Sequence, residues 1–373
     1  MKKFLSVIII ISAIGFLSFS VYANDSVDLD NLESGVKNSL EDIIDGETLG
    51  ILQDIGFENF SFDEIYNISF NNITSFFTDT LKDKVLIAAR ELSVLFCVIL
   101  LAGIITVLFK DYSDETFTSV LCVAIITILT VNIIKDSLSA VVSVLDLSGK
   151  FMIGFAPVYT LIISLGGNAA TALTYNTFAV LLAEIISAFI STGIINLIGL
   201  YFSLGISFSF NEAVSINRFN NLISRTVSIS LGLAASVFTG FLSLKNILSV
   251  SVDRVSVRSL RFLISSMIPI VGSSISDAYS SLLGSINLIK SSVAIVGILV
   301  IVIINTPIII ETLIYYVALN LFSYMCDSLS INRVGDVLRV FAGGIRILLL
   351  TCIFEMFILT ITTGIVLSVK SGG

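Results

Sequence analysis

Two acidic side chains hold most of the chemical interest of this chain. Glu184 stands alone in the apolar run LLAEIISAFI, and Asp277 lies near the end of a polar interruption, RSLRFLISSMIPIVGSSISDAY, that begins at Arg258. A charge at the centre of a membrane helix costs about 2.5 to 3.5 kcal/mol on insertion scales, so Glu184 marks either an ion path or a buried structural pair. Asp277 invites comparison with intramembrane aspartyl catalysis. That chemistry needs a second aspartate within an apolar span and a G-x-G-D setting, and the chain offers neither. Glu311 and Glu355 lie closer to the expected ends of apolar spans and carry less weight.

Other reaction classes fall to simple inventory. The chain has no histidine, which removes Ser-His-Asp triads, Cys-His dyads and His-containing zinc sites. Cys97, Cys122, Cys326 and Cys352 are far apart, form no C-x-x-C pair and read as small buried hydrophobes. Gly149-Lys150 resembles the end of a phosphate loop, but Val144 occupies its first glycine position and Phe151 its Ser/Thr position. No dinucleotide fingerprint follows a strand. The expectation is a non-enzymatic chain with no cofactor and no metal.

The elements that must hold these residues are membrane helices. Of 373 residues, 55% are hydrophobic and 13% are charged, against about 25% charged in ordinary globular domains. The apolar residues gather in runs long enough to cross a hydrocarbon core of about 30 Å. The net charge of −8 is uneven. Residues 24–84 carry 14 acidic and three basic side chains, whereas Val85 onward carries 14 acidic and 15 basic. Neither part has the basic patch that nucleic acid requires.

The chain opens with Met1-Lys2-Lys3, an apolar stretch to Phe19 and Val21-Tyr22-Ala23. This is the pattern of a signal peptide over 1–23, cut after Ala23. An uncleaved first helix is the alternative, and either way the next segment is exported. Residues 24–85 form that acidic segment, with amphipathic helical patterning but too little apolar surface for a core of their own. Its three N-x-[ST] sequences are set aside as chance matches. Residues 86–373 form an all-α, polytopic membrane domain of about seven to nine spans.

Expected spans cover 92–109, 117–134, two within 171–210, 226–244, 293–310, 312–325 and 345–369, with an amphipathic connector at 137–149. The short run 151–165 is read as re-entrant, because that would place the basic cluster Lys245, Arg254, Arg258 and Arg261 on the inside. Within 245–292, Pro269 breaks the chain and Gly272 permits an unusual backbone angle. The helix that follows has one apolar face and a polar face that includes Ser276, Asp277 and Ser280. It reads as a pore-lining or partner-docking element or, equally, as an interfacial helix. Gly232, Ser236 and Gly240 recur every fourth residue, a spacing that lets helices approach closely within a bundle or between subunits, copies of the same chain included.

The residues also carry a resemblance. The stretch from Val250 to Ile310, with Val257, Arg258, Arg261, Phe262, Ile268 to Gly272, Ser276, Asp277, Ala278 and Lys290, resembles the stage III sporulation protein AE family of endospore-forming bacteria. The order of signal peptide, polar exported segment, several spans and apolar C-terminal stretch is similar to that family over most of the chain. The resemblance implies a permease-like, multi-pass subunit of a secretion-like channel complex between mother cell and forespore. Such a subunit would sit in the mother-cell (outer forespore) membrane and be required for forespore development and late forespore sigma-factor activity. Implied partners are other stage III sporulation membrane proteins, including a secretion-type ATPase and ring-forming subunits, together with the lipid bilayer. The alternative is a stand-alone ion-coupled transporter that uses Glu184 and the broken helix at Pro269.

Overall fold

A computed structural model describes residues 70–108, 115–165, 195–209, 222–240 and 272–368, with isolated positions within 46–53 and 172–193. The described residues form six helices: α1 (Phe70–Leu108), α2 (Glu115–Leu165), α3 (Ile195–Ser209), α4 (Leu222–Gly240), α5 (Gly272–Ser328) and α6 (Asn332–Ser368). Five of them, all but α3, are long and apolar enough to cross a membrane. Their outer faces carry exposed aliphatic side chains such as Leu86, Ile128, Leu161 and Leu233, which suit lipid rather than water. The described residues are all helical, and the protein is a membrane protein. The signal peptide expected over 1–23, most of the acidic segment, Glu184, and Arg258, Arg261 and Pro269 lie outside the described residues.

The helices are fewer and longer than hydropathy suggests. The connector 137–149 and the run 151–165, expected to be a separate re-entrant piece, are continuous parts of the 51-residue α2. The spans expected at 293–310 and 312–325 belong, with the amphipathic segment before them, to the 57-residue α5. Charges lower hydropathy without breaking a helix. Asp146 and Lys150 pair at i,i+4 across 2.6 Å on the outer side of α2, while Val141, Leu145 and Ser148 are buried on its inner side. At 1.5 Å per residue α5 measures about 85 Å, far more than a bilayer core of about 30 Å. Helix count and crossing count are therefore separate quantities here. Likewise, α1 runs unbroken through position 85, where the exported segment was expected to give way to the membrane domain.

Pro157 and Pro307 lie inside α2 and α5. A proline lacks the N–H that would bond the carbonyl four residues back, so each long helix has one weakened turn. Next to Pro307, Asn305 Nδ2 donates to the Ile301 carbonyl at 2.9 Å and Thr306 Oγ1 to the Val302 carbonyl at 2.6 Å. Side chains thus engage backbone oxygens where water cannot reach.

The core is the α5–α6 hairpin, the most extensive helix pair in the fold, with α2 against both members, α1 against α5 and α3 against α6. The most apolar windows of α5 and α6 are 67% and 61% buried, against 18% for α4. The hairpin turn is a Schellman closure. Ile331 N donates to the Cys326 carbonyl at 3.0 Å and Ser330 N to the Asp327 carbonyl at 3.2 Å, with Ser330 at φ 62°. Arg339 seals the turn, donating to Asp327 Oδ2 at 2.7 Å and Asp336 Oδ1 at 2.8 Å.

Helix directions follow from paired contacts. Lys84–Glu311, Glu91–Tyr315 and Phe96–Phe322 climb together, so α1 and α5 are parallel. Ser148 meets Asn305 whereas Tyr159 meets Val293, so α2 and α5 are antiparallel. Tyr201 and Phe202 pack on Gly343 and Gly344, and Gly205 on Val340, which makes α3 antiparallel to α6.

These glycines are where helices come closest. A Cβ on Gly344 would overlap the Phe202 ring, whereas nothing lies within 4 Å of one on Gly232. Gly344→Ala should lower the melting temperature of the detergent-solubilised protein, at a cost of about 1 to 3 kcal/mol for overpacking. Gly232→Ala should leave it unchanged or raise it slightly. Equal effects of the two substitutions would contradict this packing.

Candidate functional site

Three polar layers cross the apolar bundle, each built from side chains on different helices. The first joins α1 to α5. Lys84 Nζ bonds Glu311 Oε2 at 2.6 Å, with the side chains 29% and 17% exposed. One turn further along α5, Tyr315 Oη donates to Glu91 Oε2 at 2.5 Å. Helical periodicity explains the pairing: Lys84 and Glu91 are seven residues apart on α1, Glu311 and Tyr315 four apart on α5, so each pair shares one face.

The second layer joins α2, α5 and α6. Asn305 is fully buried and donates through Nδ2 to Ser148 Oγ at 3.1 Å as well as to Ile301. Among the described residues, its Oδ1 has no partner. The amide cannot be turned over to relieve this, because Oδ1 would then face the Ile301 carbonyl, oxygen against oxygen. On α6, Glu355 is 1% exposed and its Oε2 is also without a partner.

Two contacts place Glu355 and Asn305 at one level. Ser323 Oγ donates to the Gly335 carbonyl at 3.0 Å near the turn. Counted from there along both helices at equal rise, Asn305 stands level with the turn that carries Glu355. Beyond them, Tyr159 of α2 abuts Gly297 of α5 and lies beside Thr363 of α6. Positions 297 and 363 are each eight residues from Asn305 and Glu355, so the register agrees from both ends.

The third layer is that aromatic one. Tyr159 is fully buried, donates to the Val293 carbonyl at 3.2 Å and meets Tyr175 edge-on at 5.5 Å. Phe155 and Phe151 extend the stack along α2.

The site residues expected from sequence are distributed differently. Gly272 opens α5, and Ser276, Asp277 and Ser280 fall on its first three turns. Gly232, Ser236 and Gly240 lie on an exposed face of α4, and no side chain of the described residues fills the space beside the two glycines. Among the described residues, the two glycines of the stripe therefore make no close helix contact.

Sequence reasoning ranked Glu355 low as a residue near a span end. It is instead buried deep within α6. Its distance from both ends of the apolar stretch 345–369 was the available signal. Asn305 and Pro307, inside the most apolar span, were passed over altogether; an amide and a proline two residues apart in such a run were the clue.

The Lys84–Glu311 bridge yields a test. Lys84→Glu should destabilise the protein by about 1 to 3 kcal/mol, since it sets like charges together in a part-buried position. Adding Glu311→Lys should restore most of the loss, read as melting temperature or membrane accumulation. Absence of rescue would remove the α1–α5 pairing.

No solved structure matches this chain. A curated relative, stage III sporulation protein AE of Bacillus subtilis (strain 168), is 21% identical over 229 residues. The alignment covers 61% of this chain and 56% of the relative, little more than half its length. The family described as stage III sporulation protein AE matches residues 57–369, a range that takes in all six helices. The resemblance read from residues 250–310 is thus extended over most of the chain, which belongs to the stage III sporulation protein AE family of sporulation membrane proteins.

Proposed function

We propose that this protein is a non-enzymatic, permease-like subunit of a secretion-like channel complex between mother cell and forespore. In this reading it resides in the mother-cell membrane and supports forespore development and late forespore sigma-factor activity. The observation that carries the proposal is the family match through every described helix. The matched unit is a helical membrane bundle, and such a bundle acts through what it surrounds or joins.

Two features support an assembled state. The face of α4 that carries Gly232, Ser236 and Gly240 is exposed, though small residues at this spacing suit close helix contact. The polar positions Ser276, Asp277 and Ser280 open a helix that continues into the buried core. A neighbouring subunit or a wet path would satisfy such a helix end. The partners in this proposal are other stage III membrane proteins, with a secretion-type ATPase and ring-forming subunits among them.

Affinity purification from sporulating cells in mild detergent tests the assembly. Other stage III membrane proteins should co-purify in fixed proportion, and the purified chain alone should move no solute in liposomes. A chain that purifies without such partners and drives solute uptake by itself would be a stand-alone transporter, and the subunit reading would fall.

A further inference from the structure

The α2–α5–α6 layer has an imbalance of hydrogen-bonding groups. Its orphaned atoms are acceptors. Asn305 Oδ1 and Glu355 Oε2 are buried without a donor among the described residues. Asn305 cannot supply a hydrogen, since its Nδ2 is already engaged with Ser148 and Ile301. A carboxylate in such surroundings is costly unless a positive charge joins it.

The charged groups on neighbouring elements do not provide that charge. On α5, Glu311 is paired with Lys84 of α1, and Lys290 is displaced from Asn305 by about 22 Å along the helix axis. On α2, Asp146 and Lys150 pair with each other on the outer face. The helix α3 has no charged side chain, and Tyr201 packs on Gly343. Arg225 of α4 and Arg346 of α6 are exposed. Cys352, one turn from Glu355, is buried and uncharged in its thiol form. Among the described residues, no lysine or arginine forms an ion pair with Glu355.

We propose that Glu355 and Asn305 form an intramembrane site for one monovalent cation, a proton or a sodium ion. A proton would turn Glu355 into the missing donor. A sodium ion would be held by oxygens alone, the Glu355 carboxylate and Asn305 Oδ1 among them. Both supply the single positive charge that the layer lacks. The site is a property of the α5–α6 hairpin and of α2, and it does not rest on the assembly proposed above.

The test uses the full chain reconstituted in lipid vesicles and treated with dicyclohexylcarbodiimide, which adds to protonated carboxyls in apolar surroundings. Peptide mass mapping reads the adduct at Glu355, with Glu355→Gln as the assignment control. We expect an adduct at Glu355. If sodium chloride, but not choline chloride, lowers the labelling several-fold, sodium and proton share the site. If labelling is indifferent to sodium, the proton is the resident cation. A second readout is the melting temperature of the same protein. Wild type should be stabilised by mildly acidic pH or by sodium, and Glu355→Gln, with a neutral side chain of the same shape, should respond to neither. No adduct at Glu355, or a variant whose melting follows pH and sodium as wild type does, would overturn the proposal.

Discussion

At bilayer depth no water is available to bond a polar group, so each must find its partner inside the protein. That constraint organises this fold. Threonine and serine hydroxyls turn back onto carbonyls of their own helices, as Thr130 does onto Ile126 and Thr351 onto Ile347. Other polar side chains are drawn to the places where helices meet. Lys84 finds Glu311, Glu91 finds Tyr315, and Asn305 finds Ser148. Each pairing fixes the register of two helices, so the same groups that are costly to bury also make the bundle specific.

The α5–α6 hairpin shows how sequence, turn and layer connect. Its Schellman closure and the Arg339 fork set how residues on the two arms face one another. Glycines then admit large rings where a third helix crosses: Gly297 takes Tyr159, and Gly343 and Gly344 take Tyr201 and Phe202. The hairpin is thereby enclosed by α2 and α3 and becomes the most buried part of the molecule. Within it lies a carboxylate that the charges among the described residues leave uncompensated, and this joins the packing of the bundle to any cation it takes up.

Much of this was legible in the sequence, for identifiable reasons. Runs of Ile, Leu and Val declare membrane helices through composition alone, and the motif around Pro269 to Asp277 carries the family. Helix lengths were not legible. Lys135, Asp136, Asp146 and Lys150 depress hydropathy across the middle of α2, yet they sit on a helix that never breaks. Hydropathy averages over all faces, whereas a helix needs only one apolar face to stay packed. The importance of Glu355 was hidden for a related reason. Its burial depends on the helices packed against α6, and those lie far away along the chain. The small-residue stripe on α4 shows the opposite case, since its spacing is clear in sequence but its use depends on what lies beside it.

The central claim is that Asn305 and Glu355 share one level of the bundle, facing protein rather than lipid. In a background without the native cysteines, Asn305→Cys can be paired with Glu355→Cys and, as a control, with Ile345→Cys, then treated with a short thiol-to-thiol cross-linker in native membranes. This structure predicts efficient cross-linking of the 305–355 pair and little of the 305–345 pair. Cross-linking of 305 to 345 in preference to 355 would show that the hairpin register, and the polar layer built on it, is wrong.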